Sequence, residues 1–294
     1  MKPFSRRDFL KAGAAAGALA GMGSVPLLAE GGKATDWVTL GRSGMKVTRL
    51  AFGTGTHGGA VQRNLGQDAF TSLVRHAYDS GIRFFETSES YSGMHEMLGI
   101  ALKGVPRENY RLMTKVTTGN GKDPQTTIDE LRRLSQTDYF DIMLLHVQQT
   151  ATWPSDTTRW QDVILENEHR QSVRTHGASV HGLPALRQVP GDKWLEIGMI
   201  RMNQKGVRMD AENPRTQGLG DVSEVVEHVR QARQAGKGVI SMKLIGEGSF
   251  TNRADRQASM RFAFRHAHVD SVTVGYKSPS EVDEAIENVN LAFA

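Results

Sequence analysis

The chain of 294 residues has no cysteine. Disulfides, thiolate metal sites and a catalytic thiol are therefore excluded. An oxidising compartment would be no hazard to such a chain. Apolar runs of the roughly 20 residues that cross a bilayer are missing as well. His176 and His181 flank one apolar segment and His266 and His268 lie near another. None has a carboxylate at ligand spacing, so no metal site is expected. No basic stripe interleaved with aromatics runs along the chain, which argues against nucleic acid as a partner. The formal net charge is +4, and part of it belongs to Lys2, Arg6, Arg7 and Lys11 against Asp8. The rest of the chain is close to balanced. Linkers and internal repeats are absent.

What is present begins with Ser5-Arg6-Arg7-Asp8-Phe9-Leu10-Lys11, followed by an Ala- and Gly-rich run over 12–28. A basic start, an apolar middle and small residues after it make a targeting peptide. Paired arginines are the signal of the twin-arginine pathway, which exports folded proteins. The expected partner is the twin-arginine translocation machinery, and the expected location is periplasmic or otherwise exported. A membrane anchor or buried helix is the competing reading, but the run is too short and too Gly-rich to span well. No stable membrane insertion is expected after cleavage. Ala29 and Ala34 are the two candidate cleavage positions. Residues 1–34 are assigned to the signal and 35–294 to one folded domain, about the length of a single (β/α)₈ barrel.

Eight apolar strand-like runs fall at 49–53, 83–85, 111–115, 142–146, 175–179, 197–202, 238–242 and 271–275, alternating with helical patterns. Such alternation implies parallel βαβ units and hence a TIM barrel. Helix starts are expected at Asn64 with Gln67, at Thr127 with Glu130, at Asp221 with Glu224, and at Ser278-Pro279-Ser280-Glu281. Segments 38–40 and 45–47 around Gly41-Arg42-Ser43-Gly44 read as an N-terminal β-hairpin that closes the barrel's bottom. The segment 147–159 reads as a loop at the active-site face.

Gly53-Thr54-Gly55-Thr56-His57-Gly58 has the spacing G-x-G-x-x-G. A dinucleotide fold would start a helix on those glycines and place an acid about 20 residues on. Here the helix signal comes later and Glu86 lies further along. A Gly-rich loop at the top of the first barrel strand fits better. The stronger constellation is at successive strand ends: Glu86 and Tyr91 after the second, Lys115 ending the third, His146 ending the fourth. In a barrel these ends meet on the catalytic face. Lys115 would be desolvated and need Glu86 as partner. Tyr91 beside that ammonium would have a lowered phenol pKa and donate a proton, and His146 could bond a substrate carbonyl. Singly, each has a plain structural explanation. Trp153, Trp160 and Trp194 are core, rim or pocket residues.

Phe84-Phe85-Glu86-Thr87-Ser88-Glu89-Ser90-Tyr91 resembles the aldo-keto reductase motif F-F-D-T-A-x-x-Y. Leu40-Gly41-Arg42-Ser43-Gly44, Glu96-Met97-Leu98-Gly99-Ile100-Ala101-Leu102, Thr114-Lys115 and the stretch from Asp138-Tyr139-Phe140-Asp141 to Leu144-Leu145-His146 resemble further motifs of that family, in its order. The resemblance runs from Trp37 to Asn290. It implies a (β/α)₈ barrel that reduces aldehydes and ketones (or oxidises the alcohols) with NADP(H), with NAD(H) left open. It also implies Tyr91 as acid, Lys115 as its tuner, His146 as the orienting group, and Glu86 where Asp is usual.

The resemblance places the cofactor on Gly53, Thr54, Ser179, Asn203, Lys243, Gly246, Gly248, Gly275, Lys277, Ser278 and Glu281. Several positions depart from the family. Val180 stands where an Asn holds the nicotinamide amide, Met199 where a Gln does, Ser278 where a basic residue meets the 2′-phosphate, and Ala285 where an Asn reads adenine. Two lost amide contacts at about 1 kcal/mol each weaken affinity without abolishing it. Two functions follow: an exported carbonyl reductase carrying its nicotinamide cofactor, or a non-redox barrel that binds a small ligand in a remnant site.

Overall fold

The computed structural model describes residues 31–213 and 218–294. The twin-arginine segment and Ala29 lie outside the described residues. Residues 31–294 form one compact unit. Eight parallel strands close into a barrel: β3 (Leu50–Gly53), β4 (Phe84–Glu86), β5 (Arg111–Thr117), β6 (Ile142–Gln148), β7 (His176–Val180), β8 (Ile197–Arg201), β9 (Gly238–Met242) and β10 (Ser271–Gly275). They follow one another around the cylinder, and β10 pairs with β3 to shut it. The eight expected strands are these, two with the expected bounds. β5 and β6 each run two residues past Lys115 and His146, because Thr117 still pairs with His146 and Gln148 with Val180.

Strand periodicity explains where the chemistry sits. Side chains alternate between faces, so residues two apart point the same way. Phe84, Met113 and Leu144 belong to the apolar barrel core. Two residues further on, the same inward rows carry Glu86, Lys115 and His146. The interior thus changes from apolar to polar at its C-terminal end.

The bottom is closed by the hairpin β1 (Trp37–Thr39) and β2 (Lys46–Thr48). Leu40 and Val47 join the barrel core from there, and Arg42 N–H donates to Gly236 O at the entrance to β9. Asp141, fully buried just before β6, accepts from Arg107 at 2.7 Å and from the Leu112 N–H at 2.9 Å. Asp141 therefore works at the stability end of the barrel.

Helices differ from expectation in three places. The helix Gln67–Asp79 starts after Gly66, which takes φ 77° where only glycine is at ease, while Asn64 ends the short helix Ala60–Arg63. Thr127 lies inside the helix Pro124–Leu134, because Asp123 caps it through the Thr126 N–H and Pro124 fits the first position. The expected loop over 147–159 is largely helical, with Trp153–Asp156 followed by Thr158–His169. Trp153 anchors it, being buried with its Nε1 donating to Ala185 O at 3.3 Å. Asp221 and Ser278 cap their helices as expected.

Candidate active site

The loop after β4 is pinned against β5. The Thr87 and Glu89 N–H groups donate to Met113 O and Lys115 O, each at 2.9 Å. The Thr117 N–H donates to the Glu89 carboxylate at 2.7 Å. The chain then turns tightly, with Tyr91 N–H on Ser88 O, and the helix Met94–Leu102 begins after Gly93. This turn carries Tyr91 over the barrel mouth. Its ring lies against Gly55, where a Cβ would come within 2.5 Å of Tyr91 Cζ and 2.6 Å of its hydroxyl. Gly55 therefore permits the close approach that fixes the phenol.

Lys115 is fully buried and pairs with Glu86, and its Nζ also donates to Thr87 O at 3.0 Å. Glu86, 3% exposed, accepts from Thr273 Oγ1 at 3.3 Å on its other oxygen. That oxygen lies 3.0 Å from where Gly53 would carry a Cβ. The bare backbone at Gly53 thus leaves space for the longer carboxylate. Lys115 Nζ stands 4.8 Å from the centre of the Tyr91 ring. Burial, reinforced by the charge of Lys243, pushes the Lys115 ammonium well below its ordinary range. Burial, with a smaller push from Glu247, raises the Tyr91 phenol above its ordinary value. The expected lowering of the phenol is not found: desolvation of the phenolate outweighs the ammonium.

The His146 ring meets Tyr91 edge-on at 5.6 Å. Its Nδ1 lies 2.9 Å from Ser88 Oγ and 3.1 Å from Ser90 Oγ. Burial, then the cations Lys115 and Lys243, lower its pKa well below 6.5, so the ring is neutral at pH 7. Gly53, Gly55, Glu86, Tyr91, Met199, Lys243 and Gly275 are among the walls of a chamber of about 80 Å³. Ile245, Val274 and Gly275 also border a neighbouring groove of about 400 Å³. Gly248, Tyr276, Lys277, Glu281, Ala285 and Asn288 border that groove. Two of these residues hold buried polar atoms with no protein partner, Tyr276 Oη and Asn288 Oδ1.

The model of the aldo/keto reductase family matches residues 49–260. The chain belongs to the aldo/keto reductase family. The model of the TAT (twin-arginine translocation) pathway signal sequence matches residues 3–23, so the N-terminus carries an export signal. L-Galactose dehydrogenase of Arabidopsis thaliana is 25% identical over 283 residues, covering 85% of this chain and 86% of its own. A Pseudomonas aeruginosa protein described as an aldo-keto reductase superposes with a TM-score of 0.72 at 18% identity, over 89% of this chain and 98% of its own. The aldo-keto reductase of Bacillus halodurans in its holo form gives 0.67 at 19%, over 87% and 91%. These solved structures share the fold.

Within this aldo-keto reductase the expected cofactor residues separate into two groups. Gly53, Lys243 and Gly275 line the chamber, and Gly248, Gly275, Lys277 and Glu281 line the groove. The others have contacts of their own within the barrel. Thr54 donates to Glu86 O at 3.0 Å. Asn203 is consumed by a turn, its Nδ2 donating to Val207 O at 2.7 Å and its Oδ1 accepting from the Lys205 and Val207 N–H groups at 3.1 Å. Ser278 caps the last helix (Pro279–Phe293). Gly246, at φ 57°, shapes the turn after β9. Ser179 is buried against His181.

Several residues of the site carry no signal of their role in the motifs above. Ser88 and Ser90, inside the recognised motif, contact His146. Glu247 pairs with Lys243 and, at 3.0 Å, with Arg208. Burial works to raise its pKa, but these ion pairs hold it below the ordinary value. The Lys243–Glu247 spacing of four was the available signal. None of the three tryptophans lines the chamber.

Proposed function

We propose that the protein is an exported carbonyl reductase that uses NADP(H) or NAD(H), with Tyr91 as proton donor. The observation that carries this reading is the placement of Tyr91 over the buried Lys115–Glu86 pair, with neutral His146 edge-on, beside a chamber that shares wall residues with the groove. The groove suits the rest of a dinucleotide. It has the orphaned Tyr276 Oη and Asn288 Oδ1 and, beside it, the N-terminus of a 15-residue helix that favours phosphate. Gly248, with nothing within 4 Å of where a Cβ would stand, would let the pyrophosphate approach the backbone. Lys277 is an exposed cation there, only loosely paired with Glu281 at 3.8 Å, which supports NADP(H). Arg256 is matched by Glu284 at 2.6 Å, which leaves NAD(H) open. The aldo-keto reductase of Klebsiella pneumoniae was solved with NADPH.

Nicotinamide, when bound, supplies a hydride to the carbonyl carbon. Tyr91 then gives its proton to the carbonyl oxygen. Its raised pKa keeps the phenol protonated at neutral pH, as a donor must be. Lys115 faces the ring where phenolate charge develops, so its help is largest in the transition state. Neutral His146 donates from Nε2 if the serines occupy Nδ1, and so aligns the carbonyl. The chamber falls short of the roughly 300 Å³ at which small-molecule pockets begin, so a ligand needs its walls to move apart. The same small volume, with Val180 and Met199, favours the second reading, a non-redox binding barrel. Fluorescence titration of the mature protein with NADPH and NADH decides between them. Saturable quenching is expected, and no binding at millimolar cofactor would sink the reductase.

A further inference from the structure

His181 follows Ser179 and Val180 at the C-terminal end of β7. Val180 is fully buried, and its apolar side chain offers a ligand no hydrogen bond. His181, the next residue, does enter the chamber, sharing its walls with Tyr91, Met199 and Met242. Its ring stands 6.1 Å from that of His146 at 84°. Two neutral imidazoles therefore adjoin edge to face, and His181 is the one that lines the chamber. His181 owes its neutrality first to burial and then to the charges of Arg201, His146, Lys243 and Lys115, which lower its pKa well below 6.5.

A proton count fixes what this imidazole presents. Ser179 Oγ is fully buried and lies 3.2 Å from His181 Nε2, its one hydrogen-bond partner. A buried hydroxyl places its proton on an acceptor, and Nε2 is the acceptor in reach. A neutral imidazole that accepts at Nε2 carries its own proton on Nδ1. Nδ1 has no partner among the described residues and is not one of the buried orphaned atoms. It keeps access to solvent on the side of the chamber that His181 lines.

We propose that His181 is a ligand-binding residue whose Nδ1–H donates a hydrogen bond to a carbonyl-type oxygen held in the chamber, the contact that Val180 cannot make. The ligand half of this inference rests on the dinucleotide reading above. The oxygen belongs either to a nicotinamide carboxamide or to a second oxygen of the substrate.

Binding of NADH, NADPH and ADP-ribose (NADH without its nicotinamide) is measured for the wild type, His181→Leu and His181→Asn. One lost hydrogen bond of about 1 kcal/mol is about a fivefold change. A carboxamide oxygen is supported if His181→Leu weakens the dinucleotides about fivefold, leaves ADP-ribose unchanged, and His181→Asn restores most of the loss. If all three keep wild-type affinity while the substrate KM rises about fivefold, the oxygen is the substrate's. Equal losses for ADP-ribose and dinucleotide, or no change anywhere, overturn the proposal. Nitrogen-15 shifts of the ligand-free protein test the proton count separately: a proton on Nδ1 supports it and a proton on Nε2 overturns it. A wild type that binds none of the three ligands defeats the reductase reading and the ligand half together.

Discussion

Replacing Gly55 with alanine adds a single methyl group where the structure has no space for one. That carbon would lie 2.5 Å from Tyr91 Cζ, 2.6 Å from Cε2 and 2.6 Å from the hydroxyl. Ordinary contact begins near 3.4 Å, so the ring must retreat by about 1 Å. Gly55 is not among the positive-φ glycines, so alanine brings no backbone strain, and the effect falls on Tyr91. A displacement of that size at a reacting group costs about a hundredfold in rate. Overpacking costs about 1–3 kcal/mol of stability. Gly55→Ala is therefore expected to fold, to melt a few degrees lower, and to lose about two orders of magnitude in kcat for aldehyde reduction. Gly58→Ala is the control: nothing lies within 4 Å of its Cβ, but φ is +65°. It should lose about 1 kcal/mol of stability and keep its turnover. Gly55→Ala with unchanged melting and turnover would refute the placement of the phenol.

Lys115→Met leaves the Glu86 carboxylate buried without its counter-ion and should cost about 3–5 kcal/mol in urea unfolding; adding Glu86→Gln should recover part of that, and equal stability of single and double variants would contradict the pair's role. His95 is buried, with Nε2 2.8 Å from Thr114 Oγ1, and burial lowers its pKa from 6.5 to about 4. Between those values the unfolded chain binds a proton that the native chain refuses. Stability is thus full above pH 6.5 and falls by about 3 kcal/mol as the pH drops to 4. Denaturation across that range should show a slope that His95→Gln reduces by that share, with buried His146 and His181 contributing in the same direction. Ala34 is fully buried, its N–H donating to Asn290 Oδ1 at 2.8 Å and its carbonyl accepting from Leu50 N–H at 2.9 Å. A peptidase cannot reach that bond in a folded substrate, so mass spectrometry of the exported protein should find Glu30 first; Thr35 first would contradict this.

The barrel was legible because eight β-rich segments alternated with capped helices, and the inward rows could be followed from Phe84 to Glu86 and from Met113 to Lys115. Cap positions were less legible. Asn64 and Thr127 have the right chemistry, but Gly66 and Asp123-Pro124 hold the geometry. The direction of the Tyr91 shift was misjudged because burial of a loop residue depends on what packs over it, and Gly55 and Glu247 come from distant segments. Asn203 and Ser179 carry the residue types expected for a cofactor site, yet their polar atoms are taken by a turn and by His181. Only the three-dimensional hydrogen-bond inventory separates these uses.

Turnover of a simple aldehyde with NADPH or NADH, wild type against Tyr91→Phe, tests the central claim most directly. Removing one hydroxyl that serves as general acid should lower kcat by about 10²–10⁴, with cofactor affinity little changed. Equal turnover in the two proteins would contradict the assignment of Tyr91 as proton donor.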